Sequence, residues 1–421
     1  MGAADFPSLT VNIGFIASSA APGVGPYLTF NDAVWGKIGT GEFGGTFIWY
    51  NAIADVRSVQ TTRGRQRQID AFPAGTCTIV LDNNSGNYDP DNSSSIFAGD
   101  VLPMRPVQIV ADYNGTNYPV YYGYIDQIVP AYSAGKFSDA YVTITCSDGM
   151  KVLQNQSSSG SYSSELSGFR VGNILDSVSW PSALRTINPG SQLLQAAAPT
   201  SSAVQDIQLA TDTEGGRWYI GPEGNVHFEG RSDRNRNQTV AATWSDTDTT
   251  AKLYTDAQRI TDDDLIKNLI QVTNAGGRTQ STSDSASRTQ YQTRSYSATG
   301  LLGITDVDAA ELAAAILYQN RSIRSSRFDP ILFEPLGDPT VLWPEVLARA
   351  ISDRVNVVVT PPNVGSITLP IWIEGMSHQI QYDGVKDWTV TFHGSSATYP
   401  PFLLFDDATL GKLDNTNTFG F

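Results

Sequence analysis

Short runs of β-branched and aromatic residues, separated by clusters of Gly, Asn, Asp and Pro, dominate the first third of the chain. "GTFIWYNAI", "GTCTIVLD", "PVQIVADY", "PVYYGYIDQIV" and "AYVTITCSDG" are of this kind, and they predict an antiparallel β domain up to about Gly149. The period then changes. "GFRVGNILDSVS" (168–179) and "SAVQDIQLATDT" (202–213) carry apolar residues at helical spacing behind small or polar capping residues. In "GGRWYIGPEGNVHFEGR", Trp218 and Ile220 alternate with polar neighbours, "GPEG" turns the chain, and Val226 and Phe228 alternate on the return, the pattern of a hairpin with one buried face. "NLIQVTNAGG" predicts a strand, and the nearly apolar-free stretch 278–299 predicts an exposed loop or long hairpin. One clear helix follows, with Asp308 and Glu311 as a capping pair and Leu312, Ile316 and Leu317 on one face. "RVNVVVTPPN", "LPIWIEGMSHQIQ" and "WTVTFHGSS" return to strand.

Two segments share Gly-x-x-x-Gln-Ile, at Gly123, Gln127 and Ile128 and again at Gly375, Gln379 and Ile380. Each precedes a Thr-apolar-Thr strand, Thr143-Ile144-Thr145 and Thr389-Val390-Thr391. This predicts two related β domains with a helical insertion between them. The fold class expected is mainly β with an α+β insertion, divided as residues 1–155, 156–250 and 251–398, with a tail at 399–421 that docks on a neighbour. A duplicated domain has a geometric use, because three such chains present six similar units to a six-fold ring.

Composition narrows the function. Lys and Arg total 27 against 42 Asp and Glu, a formal charge of −15, which argues against a general nucleic-acid-binding surface. No stretch approaches the roughly 20 apolar residues of a membrane helix, and the start "MGAADFPSLT" has neither a secretory pattern nor the Ser or Thr that myristoylation expects at the sixth position. Cys77 and Cys146 lie in separate predicted strands, as buried free thiols rather than a metal knuckle or redox pair.

Candidate chemistry is sparse, and neither catalytic nor cofactor-binding residues are expected. "DNNSGNYDPDNS" from Asp82 lacks the sixth-position Gly and twelfth-position Glu of a calcium loop, having Asn87 and Ser93 there, and it follows a strand. It predicts a turn whose acceptors serve backbone amides. His227, His378 and His393 each sit in an alternating strand pattern, a structural rather than metal-ligating arrangement, and no metal site is expected. No HExxH, GxSxG or paired-Cys motif occurs. The glycines around "GPEG" lack the GK[ST] of a phosphate loop, and Asp262–Asp264 read as a solvated turn. "RGRQR" places Arg63, Arg65 and Arg67 along one side of an extended segment. We read these three as a subunit-interface stripe that meets acidic residues of a neighbour, and "RSDRNRN" (231–237) in the same way.

The succession "TTRGRQRQIDAFPAGTCTIVLDNNSGNYDPDNSSSIFAGDVLPMRPVQIV", "VYYGYIDQI" and "VTITCSDGMKVL" resembles the amino-terminal part of tail proteins from long-tailed, siphovirus-type bacteriophages, particularly those of actinobacterial hosts. "TEGGRWYIGPEGNVHFEGR", "NLIQVTNAGG" and "RVNVVVTPPN" before "WIEGMSHQIQYDGVKDWTVTF" resemble the later part of the same proteins. The resemblance spans nearly the whole chain in order and implies a baseplate hub, or tail-associated minor tail protein. Its implied fold has two tail-tube-like β-barrels with a smaller α/β domain between them. Three chains would ring the tail tip, joining the distal-tail ring and tape measure protein to the tip or central fibre, with phage DNA passing through without specific binding. The expected location is the virion tail tip, and the expected role is structural rather than enzymatic. One departure is Ser352-Asp353, where such proteins commonly carry Gly-Asp before the second valine strand. The chain also ends soon after the second barrel, so a lysin or receptor-cleaving role would belong to another protein. Two other readings compete. A hexameric distal tail protein would not need two barrels, and a carbohydrate binder would need exposed rings on the middle domain, with Trp180 and Trp218 as candidates.

Overall fold

The computed structural model describes residues 6–15, 48–133, 139–247, 252–261, 263–322 and 327–397. The tail at 399–421 lies outside them. Alternation builds the first sheet: along Thr76–Asp82 (β4) the side chains of Cys77, Ile79 and Leu81 are buried while those between them face outward. The neighbours are β1 (Ser8–Phe15), β2 (Ile48–Asn51), β3 (Val56–Gly64), β5 (Pro106–Tyr113), β6 (Thr116–Tyr132) and β7 (Ala140–Ser147). They run in the order β2-β1-β5-β6-β7-β4-β3, and every pair is antiparallel.

A mixed segment follows: α1 (Gly149–Gln154), β8 (Glu165–Leu166), α2 (Ser167–Ser177), β9 (Arg185–Ile187), β10 (Leu193–Leu194), α3 (Ala203–Glu214), β11 (Arg217–Ile220), β12 (Val226–Glu229) and α4 (Asp233–Arg236). The helices α2 and α3 form at the predicted places. Ser202 caps α3 by accepting from the Gln205 amide, and the helix stops at Gly215, whose φ of +69° suits a glycine. The buried faces of α2 (Val171, Ile174, Leu175) and α3 (Ile207, Ala210) meet Trp218, Ile220, Val226 and Phe228 of the β11–β12 hairpin in one apolar cluster.

The chain continues through β13 (Val240–Ser245), β14 (Lys252–Leu253), β15 (Asp256–Ile260), β16 (Leu269–Asn274), β17 (Gln280–Ser283), α5 (Ser285–Tyr291), β18 (Ser295–Leu301), α6 (Asp306–Asn320), β19 (Arg327–Phe333), α7 (Pro339–Leu347), β20 (Arg354–Val359), β21 (Ile367–Gln381) and β22 (Asp387–Ser396). Seven of these strands run in the order β14-β13-β20-β21-β22-β19-β15. Read in chain order, this is the pairing scheme of β1 to β7 repeated, except that β13 pairs in parallel with β14 and β20. The protein is mainly β, and one contiguous apolar core runs through both seven-stranded units.

The repeat is present, but the motif that signalled it is out of step. Each unit has a β-bulge in its sixth strand, after Ile125 in β6 and after Ile373 in β21. The bulged residues are acids, Asp126 and Glu374, and each accepts a hydrogen bond from a serine of the next strand, Ser147 Oγ at 2.6 Å and Ser395 Oγ at 2.5 Å. Ladder position therefore equates Asp126 with Glu374, and it does not equate Gly123 with Gly375.

Three further expectations need adjusting. Among the described residues neither unit closes into a barrel, because the outer edge of β3 bonds to β21 instead of returning to its own sheet. The stretch 278–299 is not a loop: Gln280–Ser283 and Ser295–Leu301 flank β16, and Ile270 and Val272 of that strand bury α6. The capping box of α6 uses Thr305 with Asp308, rather than Asp308 with Glu311. In addition β13, which precedes residue 251, joins the second sheet through β20.

Candidate functional site at the seam between the units

The seam is an antiparallel ladder in which residues 58–64 of β3 face 375–381 of β21, from Gly64 opposite Gly375 to Ser58 opposite Gln381. At its top the two chains touch. A Cβ on Gly64, whose φ is +90°, would sit 2.3 Å from the Glu374 carbonyl oxygen, and one on Gly375 would sit 2.7 Å from that of Arg65. The tight approach needs both glycines.

Under this crossing lies a buried charge cluster. The bulge turns the Glu374 side chain inward to complete burial, where it accepts from Arg65 Nε at 2.9 Å, from both terminal nitrogens of Arg234, with Nη2 at 3.3 Å, and from Ser395. Arg234 comes from α4, lies 5.5 Å over the Trp372 ring, and also donates to Ser352 Oγ from Nε at 3.2 Å and Nη2 at 3.0 Å. Ser352 passes its own proton to Glu229 Oε2 at 2.9 Å, and Arg217 Nη1 meets the same oxygen at 3.0 Å. Tyr219 Oη donates to Glu229 Oε1 at 3.2 Å. Burial pushes the Glu374 and Glu229 carboxyls up, but the guanidinium groups beside them outweigh it and hold both below the usual range. Burial lowers Arg217 to about 10. The network holds the middle segment to both sheets. Every carboxylate in it is saturated by donors, which suits a strut rather than an acid or base.

The departure at Ser352 now has a physical reason. Its φ is +72°, the left-handed backbone that favours glycine, and its hydroxyl bridges Arg234 and Glu229. The serine accepts backbone strain and supplies the link that glycine lacks.

On the opposite, outward face the ladders line up uncharged side chains across six strands. Gln127, Thr145, Thr78, Gln60, Gln379 and Thr389 form one row through β6, β7, β4, β3, β21 and β22. Beside it run Ser147, Thr76, Thr62, Ser377 and Thr391. Neither row contains a Lys or Arg.

Of the residues singled out by sequence, the three arginines separate. Arg63 is buried, contacts Met376 Sδ at 3.1 Å and is lowered to about 10 by burial. Arg65 belongs to the cluster, with its guanidinium 4.3 Å over Phe72. Arg67 is half exposed and pairs with Asp70 and Asp264 of the same chain. The acidic partners seen are thus intramolecular, and Arg67 is the one of the three left at the surface. In "RSDRNRN" Arg234 turns inward and Arg236 is exposed.

His227 stacks on Tyr219 with centroids 4.9 Å apart, and burial lowers it. His378 is buried against Trp388, whose Nε1 donates to Nδ1 at 3.2 Å, and burial lowers it to about 3. His393 lies 2.5 Å from Asp329. No cluster of three metal-ligating side chains occurs among the described residues. The acidic loop after β4 is a chain of turns: Asp82, Asn83, Asp89 and Asn92 accept from the amides of Asn84, Tyr88, Asp91 and Ser94, while Leu81 and Phe97 are buried on either side. Cys77 and Cys146 face each other across β4 and β7 as buried free thiols. Trp180 and Trp218 are both buried.

Sequence reasoning missed Glu374, Glu229, Arg217 and Ser352. The signal available was an acid inside the apolar run "IWIEGM", which only a bulge and buried counterions explain.

No family model and no curated protein matches the chain. Among solved structures, a tail protein from Neisseria meningitidis MC58 matches with a TM-score of 0.53 and 14% identity, over 84% of this chain and 94% of that one. The 43 kDa tail protein of prophage MuSo2 from Shewanella oneidensis matches with a TM-score of 0.52 and 14% identity, over 83% and 94%. The fold is that of these tail proteins. At this identity the likeness concerns the path of the chain, and the side chains of the seam are this protein's own.

Proposed function

We propose that the protein is the structural hub of a long-tailed phage: three copies ring the tail tip and join the distal-tail ring and tape measure protein to the central fibre. The observation that carries the reading is the duplicated seven-strand order within one chain, in a fold shared with tail proteins. Three such chains offer six quasi-equivalent units to a six-fold tail. Residues 1–155 and 251–398 would supply the tube-like units, with β13 added to the second, and 156–250 would brace them through the charge cluster. The actinobacterial host rests on the sequence resemblance alone.

The uncharged Gln and Thr face is assigned to the axial channel. A wall without Lys or Arg makes no phosphate contacts and releases no counterions, so passing DNA is not retained. The charge of −15 supports this by disfavouring polyanion adsorption elsewhere. The sugar-binding alternative needs exposed rings on the middle segment, and the burial of Trp180 and Trp218 speaks against it.

Molar mass by light scattering across a concentration series tests the ring. A trimer is expected. A hexamer would point to a distal tail protein, and a monomer both in solution and on isolated tails would overturn the reading.

A further inference from the structure

The seam displays a joint that the chain has the parts to make a second time. Following the ladders outward from it, one continuous run of eight strands reads β15-β19-β22-β21-β3-β4-β7-β6. Its two ends are each half of a joint. Residues 375–381 of β21 lie between β22 and β3. Their counterparts by ladder position are the residues of β6 after its bulge, 127–132, which have β7 on one side and, among the described residues, no strand on the other. The counterpart of β3 is β15, which has β19 on one side and likewise no strand on the other. These halves sit at opposite ends of the run.

Resting on the ring reading above, we propose that β15 of one copy adds antiparallel to residues 127–132 of β6 in the next, repeating between chains the β3–β21 seam within a chain. Such a joint is head-to-tail, so it propagates and closes only as a ring. It also covers two strand edges that would otherwise invite indiscriminate pairing.

The register follows from the equivalences. Thr61 pairs with Cys77 and Cys77 with Cys146, while Arg259 pairs with Phe328 and Phe328 with Gly394. With Ser147 matched to Ser395, Arg259 stands for Thr61, Gln258 for Gln60 and Ala257 for Val59. In the seam Gln379 faces Gln60 and Ile380 faces Val59. The new joint therefore sets Ala131 opposite Gln258 and Tyr132 opposite Ala257. This accounts for an exposed aromatic: Ile380 is 2% exposed in its joint, whereas Tyr132, its counterpart, is 61% exposed in the isolated chain. It also extends the uncharged row, since Gln258 repeats Gln60.

Pro130 adjusts the strength. The Ser133 amide donates to Asp139 O at 2.9 Å, so by antiparallel alternation positions 129 and 131 bond toward β7 while 128, 130 and 132 face the bare edge. Pro130 offers no donor there, and the joint has one ladder bond fewer than the seam. A proline at this point also discourages unrelated strands.

The test is a disulfide trap. Ala131 and Gln258 form a non-hydrogen-bonded pair in this register, where Cβ atoms lie close enough to bridge. Ala131→Cys with Gln258→Cys, oxidised under mild conditions in the purified protein and in assembled tails, should give a covalent ladder between chains. Each single substitution, and Ala131→Cys with Asp256→Cys two residues out of register, should give none. Amide exchange gives a second reading that needs no cysteine, with Ile128 and Tyr132 protected in the assembly and exchanging at least about tenfold faster in the monomer. A trimeric mass with no ladder and no protection overturns this joint but leaves the hub standing. A monomer everywhere, without a ladder, overturns both.

Discussion

Replacing Glu374 by Gln is the sharpest probe of the seam. The carboxylate accepts from Arg65 Nε, two Arg234 nitrogens and Ser395, and both arginine side chains are less than a tenth exposed. Glutamine keeps one acceptor oxygen, enough for Ser395 and one Arg234 nitrogen. Its amide group instead presents donors to Arg65, and two buried cations lose their shared anion. Leaving a buried charge uncompensated costs about 3–5 kcal/mol. Denaturant unfolding followed by tryptophan fluorescence should show a loss of that size at neutral pH. The sign with pH is defined: the folded carboxyl lies below its unfolded value, so its stabilisation is complete above roughly pH 4.3 and disappears as the pH falls further. The gap between wild type and Glu374→Gln should close on that acid limb. Replacing Arg65 and Arg234 by Met together with Glu374→Leu should recover much of the loss, because the desolvation cost leaves with the charges. A single substitution within about 1 kcal/mol of wild type would refute the claim that this cluster braces the seam.

The other predictions use different observables. Asp148 caps α1, accepts from the Gly75 and Met150 amides, and is raised to about 7 by burial, so it favours the folded state while protonated and withdraws that contribution as the pH rises from about 4 through 7. Wild-type stability should fall between pH 5 and 8 by up to a few kcal/mol relative to Asp148→Asn, and parallel pH profiles would exclude the effect. On the outward face, Gln60→Lys, Thr78→Lys and Gln379→Lys together place three cations on adjacent strands of one row. DNA ejection from such particles should slow, more at low salt than at high, and unchanged ejection kinetics would remove this face from the channel wall.

Much of the local structure was legible in sequence because it depends on local physics. Alternation in "TCTIVLD" and "YVTITC" specifies strands with one buried face, the spacing in 168–179 and 202–213 specifies helices, and "GPEG" specifies a hairpin turn. The sequence also indicated a duplication, since both halves carry the same succession of short strands. What it could not indicate was register. A β-bulge inserts one residue and shifts the apparent repeat, so Gly123 and Gly375 look alike without being equivalent, while Asp126 and Glu374 are equivalent without looking like a motif. The arginines of "RGRQR" illustrate the other limit. Their spacing gives the direction of the side chains but not what covers them, and it is the approach of β21 to β3 that buries Arg63, ties Arg65 to Glu374 and leaves Arg67 at the surface. Contacts between residues hundreds of positions apart have no local signature. The seam, its charge cluster and the uncharged face were therefore decided by tertiary pairing, where the free energy of a strand depends on which edge it meets.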